Sequence, residues 1–251
     1  TQFIDLHTHP AMKPLGKSFN STPGKNSDNK NRSNSIWHYD APTTLDKIAN
    51  ITTTLTKFRQ ADFTSLAKGG ADVVFVSLCG LEKSFAMTKL GTGLPEDANG
   101  NLVTGLAKKR KKKKKKMDDY FTDLQMEYDF YKQLDGHKVK IEGKWYRYKI
   151  VSSFNEIEEN RDPDVNTIFV ILTIEGTHVF NTGLKMMGKP ANPDEVLSNL
   201  DKVKNWEHRL FFAGLTHHFD NEMVGHAQSL KGVVRKMIDQ SDNLDEGFSE
   251  L

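Results

Sequence analysis

The chain has 251 residues, 37% of them hydrophobic, a composition typical of one large globular domain or two small ones. No apolar stretch approaches the roughly 18 to 20 residues that a membrane span needs. The single cysteine, Cys79, excludes an internal disulfide bond and leaves the redox compartment open. The net charge of +2 depends on nine consecutive basic residues, Lys108 to Lys116, without which acidic residues outnumber basic ones.

A basic run of this length has several interpretations. It can bind nucleic acid or an anionic membrane, it can serve as a localisation signal, or it can form a solvated loop or helix start. No aromatic residue is interleaved in it, as a stacking platform for bases requires. We therefore do not expect nucleic acid as a partner, and a membrane is not an expected partner either. The chain begins at Thr1 rather than Met, so a leader can have been removed and the localisation stays unknown.

The first third of the chain alternates between strand and helix patterns. Phe3 to His9 predicts a first strand. An insertion follows at about residues 17–40, in which Lys17 to Ser35, rich in Asn, Ser and Lys, predicts a mobile surface loop. A helix is predicted over about Lys57 to Lys68, with Gly69 as its C-terminal stop. The nearly continuous apolar run from Val73 to Leu78 predicts a strand covered on both faces.

The middle of the chain begins with a second insertion, the irregular residues 83–116. The following helix is predicted from an apolar stripe that we expect to pack in the core. Its members are Met117, Tyr120, Phe121, Leu124, Tyr128 and Tyr131. Alternating residues at about 137–150 predict a β-hairpin that turns at Glu142 and Gly143, and its second arm leads into a third strand at about Lys149 to Ser152.

The last predicted elements include the most apolar strand, Thr167 to Ile174. Asn192 is a predicted N-cap, with Pro193 at the first helical position. The buried residues of this helix are expected to be Val196, Leu200 and Val203. A fifth strand is predicted at about Leu210 to Thr216, and a final helix at about Ala227 to Met237.

Apolar strands that alternate with helices predict an α/β fold with a parallel sheet. A closed ring of such units is a (β/α)8 TIM barrel, whose active sites lie at the C-terminal ends of the strands. We expect a single barrel domain over residues 1–251 that is incomplete at the C-terminus, because the chain supplies only about the first five βα units.

The first strand ends in "DLHTHP", where His7 and His9 are two residues apart and therefore project from the same face of an extended strand, together with Asp5. Two neutral imidazoles that converge in this way are suitable ligands for a divalent transition metal. The alternative is a strand that ends in polar residues by chance.

Two further strand ends carry residues of the same chemical type. The fourth strand ends in Glu175, within "TIEGTH", which also contains His178. The fifth strand ends in His217 and His218, within "LTHH". Because the carboxyl ends of parallel strands meet at one edge of a sheet, these three coincidences predict a metal site there. Cys79 also follows a strand, but it is predicted to be a core thiol.

The motifs "DLHTHP", "IEGTH" and "GLTHHFDN", in this order, resemble metal-dependent hydrolases of the amidohydrolase type. More narrowly, the chain resembles the renal or membrane dipeptidase family. That family has His-x-Asp on its first strand where this chain has His-x-His. This difference weakens the dipeptidase assignment and favours the broader amidohydrolase pattern.

The resemblance implies a (β/α)8 barrel with one or two zinc ions. His7 and His9 would hold the first metal, Glu175 would bridge two metals, and His217 would contact the substrate carbonyl or the tetrahedral intermediate. The family's second metal has two further histidines from later strands, which are not found after His226. His218 and His178 are candidate substrate contacts, with His178 alternatively a group behind the site or a cap of the next segment.

The remaining roles follow from the chemistry of hydrolysis. Asp220, or an Asp further along the protein, would take the proton of the attacking water, and Asp5 would orient an imidazole rather than bind metal. The expected function is metal-dependent hydrolysis of a dipeptide or similar amide. Hydrolysis of a non-peptide amide, lactam or ester is an alternative, as is a metal-free barrel that binds partners through its polybasic segment. A homo-oligomer is possible, because a half barrel exposes a sheet edge.

Overall fold

A six-stranded sheet organises the computed structural model, which describes residues 3–15, 24–53, 61–80, 82, 119–185 and 188–225. The strands are β1 (Phe3–Thr8), β2 (Ala71–Leu78), β3 (Val139–Ile141), β4 (Lys144–Ile150), β5 (Asn166–Glu175) and β6 (Leu210–Gly214). The helices are α1 (Thr44–Thr53), α2 (Phe63–Gly69), α3 (Tyr120–Lys132), α4 (Phe154–Glu159) and α5 (Pro193–Lys204), with a short 3₁₀ helix at Thr177–Phe180.

Strand β5 is the centre of this sheet. It pairs with β2 along one side, and on its other side it pairs first with β4 and then, over its C-terminal part, with β6. Strand β1 pairs with β2, and every pair is parallel except the β3–β4 hairpin. The expectation of an α/β fold with a parallel sheet is confirmed, and β1, β2, β5 and β6 lie side by side in chain order.

The two faces of the sheet follow the two-residue period of the strands. Val74, Val76 and Leu78 of β2 face the main core, which contains the inward side chains of α2 and α3. Val73 and Phe75 face the opposite side, where α4 supplies one buried side chain to a much smaller cluster. One face of the sheet is therefore well covered by helices, and the other is apolar but only partly covered by the described residues.

Helix α3 confirms the predicted apolar stripe, since Tyr120, Phe121, Leu124, Tyr128 and Tyr131 are all buried, whereas Met117 lies outside the described residues. The hairpin is also confirmed, and both of its turn residues, Glu142 and Gly143, have positive φ angles. A separate third strand at about Lys149–Ser152 was wrong, because one continuous strand, β4, forms the second arm of the hairpin and pairs directly with β5.

The helix ends correct two details. Helix α2 is capped at its start by the side chain of Asp62 and at its end by Gly70, with φ of 77°, so Gly69 is its last residue and not its stop. In α5, Asn192 is the N-cap as predicted, but Leu200 is 38% exposed, and Asn199 is the buried residue between Val196 and Val203.

Over its described part, the first insertion is a loop whose residues 27–34 are exposed or half-buried, but it is anchored to the core at Asn26 and Ser35. The side chain of Asn26 donates to the carbonyl of Phe130 and accepts from the backbone N–H of Ile36, and both contacts are buried. Ile36 and Trp37 are fully buried in the main core. The insertion thus packs against α3, because one amide side chain satisfies the backbone groups that this packing removes from water. The second insertion, the basic run and the predicted final helix at Ala227–Met237 lie outside the described residues.

None of the helices in the described ranges combines the length and the hydropathy that crossing a bilayer requires.

Asn181 connects three elements on the covered side of the sheet. Its side-chain oxygen accepts from the backbone N–H groups of Tyr120 and Phe121, at 2.7 and 3.2 Å, in the first turn of α3. Its amide nitrogen donates to Asp119 and to Glu195 of α5. Asn181 is buried and has a φ of 71°, a left-handed conformation that Asn tolerates better than most residues.

We expect Asn181→Ala to lower the free energy of unfolding by about 2 to 4 kcal/mol, because it leaves two buried N–H groups without their acceptor and places alanine at a positive φ. The matched control is Asn205→Ala, which removes an exposed amide at the end of α5 and should change stability by less than about 0.5 kcal/mol. Chemical denaturation measures both values, and equal effects of the two substitutions would contradict the bridging role of Asn181.

His208 is a buried histidine, although its loop context suggests exposure. Its Nδ1 lies 3.1 Å from the hydroxyl of Tyr128, whose ring stacks on Trp206 at a centroid distance of 4.0 Å. Burial lowers the pKa of His208, and this outweighs the opposing effect of nearby carboxylates.

The lowered pKa of His208 predicts how stability changes with pH. The unfolded chain takes up a proton on this histidine near pH 6.5, whereas the folded protein takes it up only at lower pH. The contribution of His208 to the free energy of unfolding is therefore fully present above its pKa in the unfolded chain. It is lost as the pH falls through its pKa in the folded protein. Compared with wild type, His208→Asn should lose less stability between pH 7.5 and pH 5, as measured by urea unfolding. A pH-independent difference between the two proteins would show that this histidine does not titrate on unfolding.

Candidate metal centre

Two strand ends bring His9 and Glu175 together. Glu175 is the last residue of β5, and His9 directly follows β1, two strands away across β2. The ring of His9 is held by its Nδ1, which lies 2.8 Å from the backbone carbonyl of Ser77 in β2. Since a carbonyl only accepts, this Nδ1 carries a proton, and in the neutral ring the Nε2 lone pair is directed toward Glu175.

The three predicted ligands of the first metal converge in the structure. The Nε2 of His9 lies 3.0 Å from Glu175 Oε2, the Nε2 of His7 lies 3.6 Å from Glu175 Oε1, and the two Nε2 atoms are 3.1 Å apart. Ligands bound to one tetrahedral zinc ion are separated by about 3.3 to 3.8 Å, given zinc–ligand bonds of about 2.0 to 2.3 Å. The observed spacing is close to that requirement.

The carboxylate of Glu175 is ionised in this setting. Burial raises its pKa, but the contact with His9 and the positive charges of His217 and His7 lower the pKa to about 2. The Oε2 atom of Glu175 is buried. Its Nε2 neighbour on His9 is 3.0 Å away, but no hydrogen bond of normal geometry to this oxygen is found among the described residues. For His9 itself, burial disfavours the charged ring, but Glu175 outweighs it and raises the pKa. An ionised carboxylate surrounded by imidazole nitrogens fits a cation.

His217 approaches Glu175 from another direction. Its Nε2 lies 3.6 Å from Glu175 Oε1, and its Nδ1 lies 2.8 Å from Oε2 of Glu82. The other oxygen of Glu82 accepts from the backbone N–H groups of His218 and Phe219. Burial raises the pKa of Glu82, but His178 and His217 together bring it below its usual value. Glu82 therefore holds both the ring of His217 and the loop that carries it.

Sequence reasoning did not find Glu82 or the role of Ser77 as a ring acceptor. The rule that found the other candidates, polar residues after an apolar strand, also applies to the end of β2, which is followed by Cys79 and Glu82. Cys79 is buried as predicted, but it also lies beside the site, with its Sγ 3.9 Å from Nδ1 of His217. Cys79, Glu175 and His217 form a second group of convergent ligand atoms.

The remaining candidates lie around this centre without joining either ligand group among the described residues. The ring of His218 packs against that of His217 in a tilted arrangement, with 3.8 Å between the ring centroids. His178 is buried, with its Nε2 directed at the carbonyl of Gly80, so it supports the site from behind and is not placed to face a substrate. Asp220 is half-buried in the loop after β6, and its carbonyl faces Gly183.

Asp5 departs from its predicted role. Its Oδ1 accepts from the backbone N–H of His7, at 3.1 Å, rather than from an imidazole. The short side chain of aspartate commonly accepts a hydrogen bond from the backbone N–H two residues further along the chain, as it does here. The ring orientation of His9 comes instead from Ser77 on the neighbouring strand.

Comparisons with known proteins add no assignment: no family model, no curated protein and no solved structure matches the chain significantly.

Gly176 makes room for the centre directly after Glu175. Its φ of 89° and ψ of 127° are readily available only to glycine. A Cβ at this position would lie 2.5 Å from Nδ1 of His178 and 3.2 Å from Cβ of His217. The chain can therefore turn away from β5 while two histidines pack against its backbone.

We expect Gly176→Ala to destabilise the fold by about 2 to 4 kcal/mol, because the substitution combines a strained φ with a steric clash. Gly69→Ala is the matched control, since no atom lies within 4 Å of a Cβ there and Gly69 ends a helix. The control should be neutral or slightly stabilising. Thermal unfolding of both variants measures the difference, and a Gly176→Ala protein as stable as the control would refute the packing argument.

Proposed function

We propose that the protein is a metal-dependent hydrolase that cleaves a dipeptide or similar amide. The convergence of His7, His9 and Glu175 from two separate strand ends is the observation that carries the proposal. These are the residues that the resemblance to the renal or membrane dipeptidase family nominates for its metal. Zinc is the proposed ion, because imidazole nitrogen and carboxylate oxygen are its usual protein ligands.

We also propose that the sheet is part of a (β/α)8 barrel. Four parallel strands in chain order, β1, β2, β5 and β6, have the arrangement of consecutive barrel strands. The face away from the main core carries apolar side chains that are exposed within the described structure, including Leu6 at 69% and Phe211 at 68%. In a barrel, this face would be the interior and further strands would pair with β1 and β6.

When bound, the ion would lower the pKa of a water molecule and polarise the scissile carbonyl. The protein's part is to hold the ligands in position. Ser77 holds the ring of His9, and the ionised Glu175 supplies negative charge between His7 and His217. With Nδ1 directed at Glu82, His217 directs Nε2 toward Glu175, and this nitrogen is the proposed contact for a substrate oxygen. Asp220 is the proposed acceptor of the water proton.

The substrate class has one alternative that the ligand set favours. With His9 where the family has an aspartate, the site carries one negative charge less. This difference changes metal preference and is compatible with a lactam, another non-peptide amide or an ester as the substrate.

Metal content and hydrolysis, measured on the same preparations, test the proposal. Protein purified without chelator should retain zinc and cleave members of a dipeptide panel. His9→Ala and Glu175→Gln should each weaken zinc binding by more than about 100-fold, because each removes a ligand, and should abolish cleavage. Zinc content is measured by mass spectrometry, and cleavage by release of free amino acid.

The matched controls are His137→Ala and Glu159→Gln, which change an exposed histidine and an exposed glutamate away from the centre and should preserve both properties. Cleavage of lactams or esters but not of dipeptides would favour the alternative substrate class. Equal zinc binding by wild type and His9→Ala would refute the metal centre.

A further inference from the structure

We infer that Cys79, Glu175 and His217 form a second cation site that adjoins the first and shares Glu175 with it. This inference rests on the proposed function for the shared carboxylate. It differs from the ligand set implied by the family resemblance, where the second metal is held by histidines from later strands. The cation that this site would take is a thiophilic, zinc-like ion, because one of the three ligands is a cysteine sulfur.

The geometry of the three side chains supports the site. Each offers one ligand atom, and these atoms all lie within 4.8 Å of one another. His217 Nε2 is 3.6 Å from Glu175 Oε1, and Cys79 Sγ lies beside the same ring, 3.9 Å from its Nδ1. The residues come from the ends of three adjacent strands, β2, β5 and β6, so the sheet itself brings them together.

A buried glutamate behind His217 is an independent observation that points to a cation. Histidine ligands of metals usually direct their second nitrogen at a carboxylate or a carbonyl, which fixes the tautomer and the orientation of the ring. His217 directs Nδ1 at Glu82, as His9 directs Nδ1 at the carbonyl of Ser77. The two rings are therefore held in the same way, and each presents Nε2 to a different oxygen of Glu175.

The two carboxylate oxygens of Glu175 face different ligand groups. Oε2 lies nearest to His9, and Oε1 lies at equal distances from His7 and His217. A carboxylate shared in this way can bridge two ions that are about 3.5 to 4 Å apart. When bound to a cation, Cys79 would add a thiolate to the second group, whereas the first group has Glu175 as its one anionic ligand.

Cobalt(II) titration of the chelator-stripped full chain tests the second site with a spectroscopic readout. Bound thiolate produces an intense near-ultraviolet charge-transfer band, which imidazole and carboxylate ligands do not produce. We expect two cobalt ions per chain in wild type, with this band present. Cys79→Ser should lose the band and bind one of the two ions at least about 100-fold more weakly, and His137→Ala should behave like wild type.

Alkylation of wild-type protein provides a measurement that needs no substitution at Cys79. It is the only cysteine in the chain, so iodoacetamide labelling reports on it alone. Saturating zinc should slow labelling by about tenfold or more, because a metal-bound thiolate is a weaker nucleophile and less accessible. His217→Ala should remove most of this protection, whereas His137→Ala should retain it.

The outcomes separate this inference from the proposed function. If wild type binds cobalt through His7 and His9 without a thiolate band and zinc gives Cys79 no protection, the second site is refuted and the hydrolase proposal stands. The role of His217 would then be the contact with a substrate oxygen that the proposed function assigns to it. If the band and the protection are present but no amide or ester is cleaved, the second site stands and the hydrolase proposal fails.

Discussion

The position of one carboxylate, Glu175, determines which side chains meet at this edge of the sheet. It ends the central strand of the sheet, β5, whose C-terminal part pairs with β2 on one side and β6 on the other. These two pairings bring the residues that follow β2 and β6 to the same edge as Glu175, and β1 adds its own strand end next to β2. The chemistry at this edge is therefore a consequence of strand order. Any change that shifted the register of β5 by one residue would turn Glu175 to the opposite face.

Much of this arrangement is predictable from the sequence because it depends on local patterns. The apolar runs of β2 and β5 identify buried strands, and the carboxyl ends of parallel strands meet at one edge, so His7, His9 and Glu175 can be grouped without coordinates. The predictions that failed depend on tertiary packing. Leu200 satisfies the helical period of α5 but faces outward, and the Asn-rich insertion is buried where Asn26 bonds to Phe130.

The supports behind the site are harder to predict, for a related reason. The acceptor of the His9 ring is the backbone carbonyl of Ser77, and every residue has such a carbonyl, so no residue type identifies it. Glu82 has a recognisable side chain, but its role depends on a loop after β2 meeting a loop after β6, 135 positions apart in the chain. From the sequence, Cys79 is predicted to be a core thiol, and its burial agrees with that prediction. Only the distance between its Sγ and His217 indicates that it also lies beside the site.

Burial and charge act in opposite directions on the two carboxylates of this centre, and charge prevails in both. Glu175 and Glu82 lose water on folding, which favours their neutral forms, yet the surrounding imidazoles keep the pKa of each below its usual value. A buried carboxylate is costly unless it is paired, so the histidines and glutamates are mutually dependent. The pairing has a further consequence for His9 and His217, whose Nδ1 atoms are committed to fixed acceptors. Each ring can then direct only Nε2 at Glu175. Without a metal a proton on Nε2 pairs with this carboxylate, and a bound cation would take the place of that proton.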